Sequence, residues 1–391
     1  MNLVNLYNFL NPRKIKTLAA EGFKIAKRDL FGREYKKYKG NAVEICKQTI
    51  ADRWNGTFFE GGSSLFNGQF WIRDFSLSLE GILQQGYREK AKNNLVWALE
   101  VFEKSGKIAT TILGRSAVVD FWRFSADSLP FLLYSLNKAK VSHLAVKYKG
   151  FLNSEIEKYF RNVFDAKTGL VKQEPFSTPK DVVMRKRTCV ANSFMVFLSD
   201  LLEHDFPHLA NPFKGLSLRK HFVNAFWNKE EGYFRNDLMD GEGNVVSADA
   251  NVIPHWLGIV GDKEKRKASI DAIKREGLDR PFPLKYHSFY DKTWMKLHLL
   301  AMLLTPNYQG NSVWTMFGPI YIELESEFYP MDSQKHLKKY LELIEEYQAY
   351  IEVFEPDGKS PLKGKFGHVA ETGMLWAAMI PALVEKFGVN A

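Results

Sequence analysis

A chain of 391 residues with 45% hydrophobic and 25% charged residues has the balance of a folded protein, which excludes disordered and collagen-like classes. Its 54 basic and 45 acidic residues leave a net charge of +9, much of it in Arg13-Lys14-Ile15-Lys16, Lys36-Lys37-Tyr38-Lys39 and Arg185-Lys186-Arg187. No zinc-finger, RNP or Gly-rich single-strand motif accompanies these clusters, so they read as solvated surface and not as a nucleic-acid footprint.

Two cysteines, Cys46 and Cys189, sit outside any CxxC or Cys/His cluster, so a disulfide framework is not expected and a reducing, cytoplasmic setting fits. Met1 to Leu10 lacks a basic n-region and a small-residue cleavage site, and no apolar run reaches the length of a membrane span. Aromatic residues are abundant at 14%, which suits both a large core and a pocket that stacks flat rings.

In chain order, residues 1–40 are expected to form a basic, mobile N-terminal segment and residues 41–391 a single domain, because no Pro/Gly/Ser-rich linker divides the rest. Apolar spacing of three and four predicts helices near 41–54, 73–86, 88–105, 124–139, 142–163, 188–204, 215–227, 249–260, 263–275, 294–304, 311–328, 332–349 and 368–387. Gly86, Gly106 and Gly388 follow helices, while Ser125, Asp262 and Asp332 are placed to cap them. Strand-like alternation is confined to short pieces in loops. Helix pairs joined alternately by short turns and long loops imply an all-α fold, an (α/α)6 toroid with its pocket at one end. A helical solenoid would need a fixed repeat of 30–45 residues, and none is visible. The long loops are 55–72, 106–124, 164–187, 228–248, 276–293 and 350–367.

Several loops carry chemistry. Trp71-Ile72-Arg73-Asp74 stands directly before a helix. Arg73 and Asp74 can hold sugar hydroxyls beside Trp71 as a stacking wall; a helix-dipole role would account for Asp74 alone. In Val119-Asp120-Phe121-Trp122-Arg123-Phe124-Ser125-Ala126-Asp127, Asp127 falls at the third position of a helix opened by Ser125, among aromatics that favour a raised carboxyl pKa. Asp120 is its rival. Glu352, in Tyr350-Ile351-Glu352-Val353-Phe354-Glu355-Pro356-Asp357-Gly358, is a second carboxylate at a helix-to-loop junction and a candidate base. Paired loop carboxylates are the machinery of glycoside hydrolysis. His287, His298 and His368 show no HxxxH or HExxH spacing, and no GxSxG elbow, P-loop or GxGxxG is present.

From about residue 55 to the C-terminus these segments resemble, in order, the six-hairpin glycosidases, most closely the amylo-1,6-glucosidase part of glycogen debranching enzymes. Trp71-Ile72-Arg73-Asp74 with Gly81-Ile82-Leu83 is similar to a Trp-x-Arg-Asp segment and its helix, and Phe124-Ser125-Ala126-Asp127-Ser128-Leu129 to a Ser-x-Asp-Ala-Ser-Leu segment. Arg187 to Asn192 resembles a basic-to-Asn segment. Phe226-Trp227-Asn228 through Gly232-Tyr233, with Asn251 after it, resembles a Phe-Trp-Asn…Gly-Tyr run. Tyr308-Gln309-Gly310-Asn311-Ser312-Val313-Trp314 with Gly318-Pro319 is similar to a His-Gln-Gly-Thr-Val-Trp-Pro…Gly-Pro segment, and Ile351 to Gly358 to a Glu-Ile-Phe-Asp segment.

The resemblance implies an inverting hydrolase of an α-glucoside or related oligosaccharide, with Asp127 as general acid and Glu352 as general base. It implies sugar contacts from Trp71, Arg73, Asp74, Trp122, Asn251, Gln309 and Trp314, and no metal or cofactor. Pro130-Phe131 and Glu371-Thr372-Gly373-Met374 depart from the pattern, where a Trp and Gln-Ala-Trp-Ser are usual. A complete debranching enzyme with its transferase domain is not expected at this length. The partner implied is a carbohydrate, not nucleic acid or membrane; the sequence is silent on oligomeric state. Two alternatives are a sugar epimerase using His287 and His368, and an inactive carbohydrate-binding protein with its pocket blocked near Pro130.

Overall fold

The computed structural model describes residues 35–120, 123–180, 185–239, 245–289, 307–364 and 369–389. Its helices are α1 (Ala42–Arg53), α2 (Ile72–Gln84), α3 (Arg88–Ser105), α4 (Ser128–Lys138), α5 (His143–Lys147), α6 (Lys149–Val163), α7 (Cys189–His204), α8 (Leu218–Phe226), α9 (Ala248–Trp256), α10 (Lys263–Arg275), α11 (Gly318–Glu325), α12 (Pro330–Tyr347) and α13 (Met379–Phe387), the last preceded by a 3₁₀ turn at Leu375–Ala378. No helix among the described residues is long and apolar enough to cross a membrane.

Two kinds of helix alternate. α7 buries every residue from Cys189 to Ser199, as a helix apolar all round must. α3 buries only the stripe Ala91, Asn94, Leu95, Ala98, Leu99 and Phe102. The enclosed kind pack in the order α2 on α4, α4 on α7, α7 on α9 and α9 on α11, and α13, which buries only Ile380 and Leu383 but follows the fully buried 3₁₀ turn, packs on both α11 and α2. The striped kind lie against them, with α3 on α2, α8 on α7, α10 on α9, and α12 on α11 and α1. One buried cluster runs through all of them from Tyr38 to Leu383. Tyr38 belongs to that core and its N–H bonds to Gln348, so the packed domain begins before residue 41.

Strands are short and lie between the helices. β1 (Gln69–Trp71), β2 (Thr111–Leu113) and β3 (Ala117–Val119) form an antiparallel sheet in that order. Three further antiparallel pairs join β4 (Phe164–Asp165) to β5 (Leu170–Val171), β6 (Trp227–Asn228) to β7 (Tyr233–Phe234), and β8 (Val313–Trp314) to β9 (Val353–Phe354). Single bridges stitch other loops together: Ser125 to Ser177, Thr188 to Asp237, Lys285 to Val313, and Ile351 to Thr372. These loops lead into the enclosed helices, so they bring the starts of those helices together at one end.

The expected elements need four corrections. α4 starts at Ser128, with Asp127 as its N-cap residue, because the Phe124 carbonyl accepts from Ser177 N–H and the Ala126 N–H donates to the Ser177 carbonyl, which holds this segment in a bridge instead of the helix. Asp332 lies inside the first turn of α12 and does not cap it, whereas Asp262 caps α10 by accepting from the Lys265 N–H. The helix expected over 311–328 is only Gly318–Glu325, since Val313 and Trp314 pair with β9. Of the helix expected over 368–387, residues 369–374 are non-helical. The helix expected at 294–304 lies outside the described residues.

Candidate active site

α2 begins at Ile72, so its first turn carries Arg73 and Asp74, both buried. Arg73 Nε donates to Asp127 Oδ2 at 2.6 Å, and Ser125 Oγ donates to Asp127 Oδ1 at 2.6 Å. The side chain of Asp127 is fully enclosed. Tyr159 O–H donates to the Ala126 carbonyl at 2.9 Å; burial first, and the Asp127 charge second, hold its phenol well above the ordinary value. A guanidinium bonded to a buried carboxylate is a charge-assisted pair and among the stronger hydrogen bonds. The rival Asp120 instead pairs with Lys107 at 2.8 Å in a half-buried position.

Glu352 is 2% exposed and fixed from both sides. Its carbonyl accepts from Thr315 N at 3.1 Å, while its N–H donates to the Glu371 carbonyl at 2.9 Å. Oε2 accepts from Glu371 N at 2.8 Å, and Oε1 accepts from the Tyr308 hydroxyl. Tyr308 stacks edge-on to Trp314 at 4.7 Å, and Trp314 lies 6.0 Å from Trp376 and 5.7 Å from Tyr286. The Trp314 indole N–H donates to the Tyr308 carbonyl. Glu352 thus stands beside an aromatic wall, held in orientation by a phenol and a peptide N–H.

The other expected contacts divide. Trp71 is half-buried, edge-on to Phe66 at 5.6 Å, with its indole N–H on Gln69 Oε1 at 2.9 Å. Gln309 donates to the Pro179 carbonyl at 3.2 Å, in the same chain segment that bonds to Ala126. Asn251 belongs to the scaffold: its Oδ1 accepts from Phe234 N at 2.8 Å and its Nδ2 donates to the Phe234 and Ser247 carbonyls. Its amide thereby holds β7 to α9. Trp122, His298 and His368 lie outside the described residues. Pro130 is buried in the first turn of α4, where proline is tolerated.

Sequence reasoning missed a second buried group. Lys180 Nζ contacts Ser247 Oγ at 2.8 Å, Asp249 Oδ1 at 3.1 Å and His287 Nε2 at 3.1 Å, and lies over the Tyr286 ring. Arg185 pairs with Asp237 at 2.8 Å nearby. The cavity between these groups has room for about one water, roughly 10 Å³, far less than a sugar needs. Glu371 and Tyr308 were also missed as site residues, although both lie in quoted segments: Tyr308 opens the Gln309-Gly310 segment and Glu371 stands where glutamine is usual. Away from these loops, Asp279, Glu325 and His336 bring ligand-type atoms within 4.8 Å of one another. The Lys274 ammonium, 2.8 Å from Glu325 and from Asp332, already supplies the cation there.

An all-helical framework with loops stitched over one end, carrying buried carboxylates and an aromatic wall, is the architecture in which this site sits. No protein-family model matches the sequence, and no curated protein does. Solved structures do share the fold. A rhamnosidase from Klebsiella oxytoca with rhamnose bound superposes at TM-score 0.60 over 92% of this chain and 67% of its own, at 14% identity. A wild-type glycosidase matches at TM-score 0.62 over 89% and 97%, at 15% identity. A GH63 mannosylglycerate hydrolase from Thermus thermophilus, in complex with Tris and D-glycerate, matches at TM-score 0.59 over 87% and 98%, at 12% identity. The chain has the fold of these glycosidases.

Proposed function

We propose that this protein is an inverting glycoside hydrolase acting on an α-glucoside or related oligosaccharide, built on a closed (α/α)6 barrel and akin to amylo-1,6-glucosidases. The cyclic packing of α2, α4, α7, α9, α11 and α13 supports the barrel. The ordered motifs between Trp71 and Gly358 support the kinship. The observation that carries the catalytic reading is Glu352, buried beside Trp314 and oriented by Tyr308 and the Glu371 N–H.

In this reading Glu352 takes a proton from water, and that water attacks the anomeric carbon. Asp127 delivers a proton to the glycosidic oxygen as its bond to that carbon breaks. An inverting site of this kind leaves roughly 6.5–9.5 Å between the two carboxyl groups. Trp71 and Trp314 stack on the sugar, and Arg73 and Asp74 take its hydroxyls. For Asp127 to act, substrate hydroxyls replace it on Arg73 Nε.

A second reading of Asp127 rests on a specific observation: both its oxygens are engaged and the side chain is enclosed. There Asp127 only orients Arg73, and another group supplies the proton. The test is incubation with isomaltose, maltose and a nitrophenyl α-glucoside, following the anomer first released by proton NMR. β-Glucose is the expected first product. Retention sinks Glu352 as the water-activating base, and no turnover of any α-glucoside sinks the substrate assignment. Unchanged turnover in Asp127→Asn moves the acid role elsewhere.

A further inference from the structure

We infer that Glu371 is a positioning residue: it latches the strap formed by residues 61–68 against the base-bearing segment and thereby sets both Trp71 and Glu352. The inference rests on the hydrolase reading above for its consequences in turnover, and on geometry alone for the latch.

The strap is a closed loop. At its neck, Gly61 N donates to the Gln69 carbonyl at 3.1 Å, and Glu60 Oε1 accepts from Gly68 N at 3.0 Å. Its exit is β1, which carries Trp71 and leads into Arg73. Inside the loop lies the fully buried Glu371 carboxylate. Oε1 accepts from Ser63 Oγ at 3.2 Å, Ser64 N at 3.0 Å and Thr372 N at 3.1 Å. Oε2 accepts from Leu65 N at 2.5 Å and Ser64 Oγ at 3.3 Å. Three peptide N–H groups and the Ser64 hydroxyl converge on one carboxylate, while the single Ser63 hydroxyl proton is shared with the nearer Thr372 carbonyl at 2.7 Å, which makes Glu371 a structural acceptor, unlike a base awaiting a proton. The backbone of the same residue gives Glu352 its N–H donor and takes the Glu352 N–H in return.

Two glycines make the close approach feasible. A Cβ on Gly62 would meet Glu371 Cγ at 2.8 Å, and one on Gly373 would meet Ser63 Cβ at 3.1 Å, where φ is also +61°. The residue type follows as well. An amide cannot replace the carboxylate in this loop. Its NH₂ at Oε2 would face Leu65 N–H, and flipped to Oε1 it would face the Ser64 and Thr372 N–H groups. Either orientation sets donor against donor in a buried site.

The experiment uses the full chain and two variants, Glu371→Gln and the milder Ser63→Ala/Ser64→Ala, each checked by thermal melting. Amide hydrogen exchange is followed without any sugar. Peptides covering 61–68 exchange at least tenfold faster in both variants, while α7 and α12 keep wild-type protection. Unchanged exchange at 61–68 in both overturns the latch. With a nitrophenyl α-glucoside, Glu371→Gln lowers kcat by about a hundredfold and raises KM, as expected when a base and a stacking wall lose register. Wild-type kinetic constants alongside a lowered melting temperature mean a merely structural residue, and also overturn it. If the wild-type protein turns over no glycoside, the hydrolase reading fails while the exchange result still decides the latch.

Discussion

Arg73 and Asp127, fifty-four residues apart, meet as a buried ion pair at the starts of two adjacent enclosed helices. Removing one partner takes a charge-assisted bond from a buried charge, which costs about 3–5 kcal/mol. Urea unfolding of Arg73→Leu and Asp127→Leu checks this. The double variant is expected to lose clearly less than the sum of the singles, since neither charge of the pair is left to lose that bond. Additive losses would show that the two side chains do not depend on each other.

Glu352 and Tyr308 give a prediction about turnover alone. Glu352→Gln keeps the shape but removes the proton acceptor, so α-glucoside hydrolysis falls by roughly 10²–10⁴-fold. Tyr308→Phe removes one hydrogen bond to that carboxylate, worth a smaller loss of about ten- to a hundredfold. Initial rates of glucose release measure both, beside melting curves that stay close to wild type for Tyr308→Phe. Equal losses in the two variants would argue that the phenol, and not the carboxylate, carries the chemistry.

Close approach of helices gives a packing prediction. Gly81 of α2 faces the 3₁₀ turn so tightly that a Cβ would lie 1.9 Å from the Ala378 carbonyl oxygen. Gly81→Ala therefore destabilises by about 1–3 kcal/mol through overpacking. Gly150, in the first turn of α6, has nothing within 4 Å of where its Cβ would be. There the alanine is expected to stabilise by about 0.4–1 kcal/mol, by restricting the unfolded chain. Opposite signs in one denaturation series check the pair.

Much of the helical framework was legible from spacing and caps. Starts at Ala42, Ile72, Arg88, Cys189 and Lys263 fall within a residue of expectation, because local stripes dictate them, aided by side-chain caps from Asn41, Thr188 and Asp262. What was not legible depends on partners distant in sequence. Val313-Trp314 reads as helix until Val353-Phe354, forty residues on, pairs with it. Residues up to Met374 read as helix until the strap at 61–65 captures Glu371. The Trp71-Arg73-Asp74 cluster was visible because it is contiguous. Lys180, Asp249 and His287 assemble only in three dimensions, and the one sequence signal for Glu371 was its departure from glutamine.

His255 gives a pH dependence with a definite sign. It is 4% exposed in α9, with Nε2 3.1 Å from Ser269 Oγ and its ring edge-on to Phe234 at 5.7 Å. Burial lowers its pKa from 6.5 to about 4; the Val260 carbonyl opposes the shift and the Arg266 charge adds to it. The unfolded chain therefore binds a proton that the fold refuses between these values. Stability from this residue is complete above about pH 6.5 and falls as the pH drops toward 4, by roughly 3 kcal/mol in all. His255→Gln abolishes that contribution to the slope, so the difference in unfolding free energy between variant and wild type changes across pH 4–6.5 and is flat above it. Urea titrations at half-unit pH steps measure the difference, and a difference independent of pH in that window would mean that the fold leaves the His255 pKa at its unfolded value.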